Sequence, residues 1–435
     1  MEEKDLDTNN TSLEGDLVTA DVPASPENTS KKKKLVFEVS STFLVIMVVV
    51  IAVVVTLTMQ NKKTDDTGKG DEGNESSVVV EDDAVDVSEL TGGMAEVTID
   101  GKKVAYNAEY IVDGVRAVVK AGTYESDKDD TVVFLVINGG SLEFEEGVVV
   151  NKTGSENFDG RGDAYSFYGT NSAIVVAGEE SKVNLKNATI NTSVNGANAV
   201  VATKGGSVEF SNVTISTTKN ASRGLHATYG GTIVGEGGTI LTQGQSCAAL
   251  ATDRGEGTVN VSKMTLKTAG AGSPLIYSTG AIEVSDSTGA ATGAQIAVVE
   301  GKNSITLDGC DFSTNGIGNR NSVDNAAIMI YQSMSGDASE GVGSFTAKDT
   351  KMTVLADSEV YETTPFFFVT NTKANIELEN VEATFYKDGY FILAVGTNEW
   401  GRTGENGGTV KIGSINLTAT NTIVGVDEIS SVDGI

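Results

Sequence analysis

The residues able to act on another molecule are few and scattered in this 435-residue chain. One His, one Trp and two Cys are present, which excludes a multi-histidine metal centre and a disulfide framework. The sharpest candidates sit in two long segments, YQSMSGDASEGVGS from Tyr331 and GTNEWGRTGENGG from Gly396, each following an apolar run of the same kind. The first carries Tyr331 and Asp337; the second carries Trp400 beside Glu399 and Arg402. An aromatic ring with charged neighbours suits stacking on a sugar or contact with another protein. If both segments leave the same strand of coils two apart, they lie about 10 Å from each other. Trp400, Arg402, Glu399, Tyr331 and Asp337 are therefore the candidate ligand-binding residues, the alternative being a Trp400 folded down over Phe366 to Phe368.

Other groups read more plainly. His226, in GLHAT, falls in a stacked strand, where a structural place is expected. Cys310 falls at the inward position that Ala188, Val213 and Met264 hold in other repeats, and Cys247 at a bend, so no bridge joins them. The paired aspartates Asp65/Asp66, Asp82/Asp83 and Asp129/Asp130 lie outside the repeats, and no Asp-rich nonapeptide array points to calcium. Arg161, Gly162 and Asp163 spell RGD inside a Gly-rich acidic segment, which chance explains. No catalytic residue, cofactor or metal ligand is assigned.

The elements that must position these residues come from a repeat. Similar starts recur at Ala173, Ala199, Gly224, Ala248, Pro274 and Gln295, then at Ala327, Pro365, Tyr390 and Thr422; VVFLVINGGSLEF at Val132 matches NAVVATKGGSVEF at Asn198. Within one unit, Val208, Phe210, Val213 and Ile215 alternate with polar residues across a bend at Asn212, which is a strand period. Three short strands in about 25 residues cannot bury an apolar face alone and must stack on their copies. The expectation is an all-β parallel β-helix of about eleven three-strand coils over 132–435. Residues 96–131 break the register and read as capping strands, since an open solenoid end invites edge pairing.

Composition agrees with this reading. Gly numbers 50 and Pro 4, aromatics make up 6%, and 31 basic against 60 acidic residues give −29. Such a charge excludes phosphate-backbone binding as the main role. An uncharged run from Val39 to Asn61 is long enough to cross a bilayer, and Lys31 to Lys34 precede it, placing the N-terminus in the cytoplasm. The organisation expected is a disordered tail (1–34), a single-pass transmembrane helix (35–60), an acidic linker (61–95), capping strands and an extracellular solenoid. The chain stops at SSVDGI, inside a coil.

The order and wording of FYGTNSAIVVAGEE, GGTIVGEGGTILTQGQSCAALATDRGEGTVNVS, GSPLIYST, VVEGKNSITLDGC and IMIYQSMSGDA resemble the repeat-rich surface proteins of gut Firmicutes described as adhesin-like or carbohydrate-binding. The resemblance implies a right-handed parallel β-helix of the pectate-lyase-like type on a bacterial surface. It brings no catalytic residues, and polygalacturonase-like signatures are absent from the coils. The expected function is a non-catalytic adhesin or glycan-binding β-helix. A divergent polysaccharide lyase or hydrolase on the same fold, and a cell-envelope structural protein, are the alternatives.

Overall fold

The computed structural model describes residues 84–317, 325–333, 335–355, 365–385, 390–396, 406–418, 424–426 and 430–433. The apolar run at 35–60, the tail before it and most of the linker at 61–95 lie outside these residues. Among the described residues no helix is long and apolar enough to cross a membrane.

Each coil gives one short strand to a thirteen-strand sheet and two, or one long bent strand, to a twenty-one-strand sheet. Val200 pairs in parallel with Ile174 and Leu225, Leu225 with Leu250, and Leu250 with Ile276. That is the register the repeat spacing predicts, and it makes the described part a parallel β-helix. From Thr131–Ile137 to Val424–Val426 the thirteen-strand sheet holds eleven stacked strands, matching the expected coil number. The strand Ser207–Thr217 runs through Asn212 at a φ of 54°, a left-handed bend that Asn tolerates better than most residues. On either side of it, Val208, Phe210, Val213 and Ile215 are buried.

Residues 96–131 do more than cap the stack. Gly93–Ile99 and Lys102–Asp113 form an antiparallel hairpin, but the second half of the latter pairs in parallel with Thr131–Ile137. Arg116–Val119 and Gly122–Ser126 likewise join Ser141–Phe144 and Val148–Lys152 in parallel. The segment thus builds a further coil with one antiparallel strand on its edge. Its register is hidden in the sequence because Asp113-Gly114-Val115 stands where Asn138-Gly139-Gly140 turns the next coil.

Polar ladders close the corners. Ala197 N–H donates to Ser222 Oγ at 3.1 Å, Ser222 N–H to Cys247 Sγ at 3.1 Å, and Cys247 N–H to Ser273 Oγ at 2.9 Å. Cys247 is thus a rung in a serine ladder. At another corner Met264 N–H donates to Ser287 Oγ and Cys310 N–H to Thr350 Oγ1, with Cys310 in the core as its spacing predicts. Both cysteines are buried and free, and burial pushes each thiol up to about 11.

The outward face of the thirteen-strand sheet is also covered. Near its start Val97, Ile99, Val104, Tyr106 and Tyr168 pack over Leu135, Val175 and Val201. Farther along, Val298, Met329 and Phe368 form a second apolar patch with Tyr277 and Tyr331 at its edge. The segment 153–172, with a short helix at Asp163–Phe167, lies on this face. Tyr106 Oη donates to the Tyr168 carbonyl, Asn198 Nδ2 to that of Tyr165 and Thr228 Oγ1 to that of Phe167.

Candidate functional site

Between the two apolar patches, and along the edge of the second, the outward residues change character. Val201 stacks on His226, His226 on Ala251 and Ala251 on Tyr277, while Glu300 stacks on Tyr331. Alternation explains this placement: Leu225, Leu250 and Ala297 point into the core, so residues an odd step away face out. A covered outward face would ordinarily be apolar; here it carries ionisable groups, which need partners when buried.

Those partners form one network. Arg223 Nη2 lies 3.1 Å from Asp253 Oδ2, and His226 Nε2 is 3.7 Å from the same oxygen. Burial pushes Asp253 up, but His226 and the Arg223 guanidinium outweigh it and hold the carboxyl below its ordinary range. Fully buried His226 is pushed down to about 4, so it is neutral near pH 7. Neither of its ring nitrogens makes a hydrogen bond among the described residues. Glu300, 1% exposed, accepts from the hydroxyls of Tyr277, Tyr331 and Ser333, and the two tyrosine oxygens are 3.1 Å apart. Burial raises Glu300 above its ordinary range against these donors. Two carboxylates in one network are therefore displaced in opposite directions.

A clasp covers the network. Arg254 donates from Nε and Nη2 to Asp337 Oδ1 at 2.8 and 2.6 Å, and from Nη1 to Asp163 Oδ2 at 3.0 Å. Its guanidinium lies 3.9 Å from the Phe167 ring centroid, a cation–π geometry. The two segments that leave the coils near residues 163 and 337 are thereby joined through one side chain. The Asp of the RGD triplet is engaged within the chain.

No protein-family model matches the chain, and no curated protein matches it. Three solved structures are similar over much of its length. An alginate lyase from Paenibacillus sp. is 8% identical, with 71% of this chain and 98% of that one covered at a TM-score of 0.31. The catalytic domain of a GH87 alpha-1,3-glucanase, determined with tetrasaccharides, is 12% identical over 85% and 70% at 0.35. PfbA, a surface adhesin of Streptococcus pneumoniae, is 12% identical over 80% and 91% at 0.29.

Of the five residues singled out by sequence, Tyr331 and Asp337 meet in this cluster, Tyr331 on Glu300 and Asp337 on Arg254. Trp400, Arg402 and Glu399 lie outside the described residues. His226 takes the stacked position read for it, but it stands beside Asp253. Sequence reasoning missed Asp253, Arg254, Glu300 and Tyr277. One signal was available: Asp253 in AALATD and Glu300 in QIAVVE hold the same place in their repeat starts.

Proposed function

We propose that the chain is a non-catalytic adhesin or glycan-binding β-helix, anchored by the apolar run at 35–60 with its coils outside the cell. The contact surface is the polar middle of the covered sheet face, where Arg254, Asp337 and Tyr331 form the outer layer. One observation carries this reading: between its first apolar patch and the edge of its second, the covered face becomes a set of hydrogen-bonding aromatics and charged groups. Aromatic edges with fixed donors and acceptors suit a polyhydroxylated ligand. Trp400, Arg402 and Glu399 belong to the same proposal as further contacts. A glycan-array screen of the full chain against Arg254→Ala tests it. Binding weakened by the substitution is expected; full retention would remove the clasp from the binding surface.

A second reading, a polysaccharide lyase or hydrolase, is favoured by the opposed displacement of Asp253 and Glu300, the kind of split that separates a base from an acid. Both carboxyls are almost wholly buried, which favours binding over turnover. Release of unsaturated or reducing ends from any array-positive polysaccharide, abolished by Glu300→Gln, would reverse that order.

A further inference from the structure

A cleft of about 280 Å³ lies at the corner beside this network, bordered by Arg161, Ser166, Asn220, Arg223 and Gln245. Its lining supplies guanidinium, hydroxyl and amide groups and no carboxylate, in a chain of net charge −29. The walls are held in place before any ligand arrives. A Cβ on Gly160 would run into the carbonyl of Asn195, and one on Gly196 into that of Gly160, so the segment carrying Arg161 sits directly on the coil. Asn195 Nδ2 donates to the Phe158 carbonyl at 2.9 Å and fixes the same junction.

The floor is a side-chain ladder. Asn220 N–H donates to Asn195 Oδ1 and Gln245 N–H to Asn220 Oδ1, and Ala221 N–H bonds the Gln245 carbonyl. These backbone donors are spent, so a ligand in the cleft meets side chains. Arg223 gives Nη2 to Asp253, but Nη1 is buried with no hydrogen bond among the described residues. Such an orphaned donor is unfavourable until an acceptor reaches it. Among the described residues the ion pair of Arg161 is with the solvent-exposed Asp159 at 3.9 Å, a contact that water screens.

We infer that this cleft is an anion subsite that takes one carboxylate or sulfate group of an acidic sugar, with Arg161 and Arg223 as its ligands. A planar guanidinium suits either oxyanion. The acidity of the whole chain restricts the class further: a densely charged polyanion is repelled, whereas a glycan with isolated acidic groups can place one in the cleft. The inference rests on the glycan-binding reading and names the chemistry of one subsite within it.

Saturation-transfer NMR on the full chain tests it with methyl glucuronide, glucose 6-sulfate and methyl glucoside as probes. The two acidic sugars should bind, the neutral one should not bind in the cleft, and Arg161→Gln should weaken the acidic pair about tenfold, the value of one charge-assisted hydrogen bond. Arg161 is exposed, so its loss leaves the fold intact; Arg223→Gln, checked by circular dichroism, should act in the same direction. No binding of either acidic sugar, or binding indifferent to both substitutions, overturns the inference. Inorganic sulfate competing as well as the sulfated sugar would show a bare anion pocket and overturn the assignment to a glycan. These failures leave the array test with Arg254→Ala standing, so the two readings fall separately.

Discussion

Buried His226 predicts an acid limb in the stability of the chain. Its pKa is depressed from 6.5 to about 4 by burial, so the unfolded chain takes up a proton between those values that the folded chain refuses. The sign follows from linkage: His226 leaves stability unchanged above pH 6.5 and removes it progressively as pH falls toward 4. At 1.36 kcal/mol per pKa unit, the loss is about 2 kcal/mol at pH 5 and about 3 kcal/mol below pH 4. Glu300, whose pKa is raised, acts in the opposite direction, and the lowered Asp253 contributes its own loss at lower pH. A difference measurement against a His226 variant cancels the Glu300 contribution, which His226 does not set. His226→Val places the residue of the neighbouring coil, Val201, at the same stacked position. Urea unfolding followed by circular dichroism at pH 7.5, 6.5, 5.5 and 4.5 should show the wild-type midpoint falling relative to the variant only in the last two steps. Parallel midpoints down to pH 4.5 would mean that His226 accepts its proton while folded, and the account of its burial would be wrong.

Three further outcomes follow from the packing. Cys247→Ser should change stability by less than about 1 kcal/mol, because serine is the rung above and below it; Cys247→Ala orphans the Ser222 N–H and should cost about 1–3 kcal/mol in urea unfolding. Gly270→Ala should destabilise by about 1–3 kcal/mol, since a Cβ there meets the Gly244 carbonyl of the coil below; an unchanged midpoint would show that the corner has slack. Arg254→Met should lose about 1 kcal/mol, its ion pairs being partly exposed. It should also raise amide exchange at both 163–168 and 335–341, and a rise at one segment alone would refute the clasp.

The architecture was legible because its cause is local and repeated. Apolar alternation through Val208, Phe210, Val213 and Ile215 recurs at a near-constant spacing, and parallel stacking is the arrangement that buries every copy. Cys310 could be placed by the same argument. The candidate site was legible in part, through the length of the segment carrying Tyr331 and Asp337. Arg254 and Asp163 could not be paired by eye, because nothing local connects residues 91 apart. His226 was read from its strand alone; its neighbour Asp253 follows the next strand, and the cover that buries both comes from a third segment. Coils state their own geometry, whereas the segments that cross them depend on contacts far along the chain.

A stack of coils has a weakness that the Arg254 side chain removes. When each repeat touches only the next, stability is a sum of adjacent terms and the array can melt one layer at a time from either end. Arg254 links Asp163 and Asp337, which flank several intervening coils, so loosening any of those coils strains a contact anchored outside it. The stretch between these aspartates should therefore unfold as a single cooperative block, with gradual fraying confined to the coils beyond it.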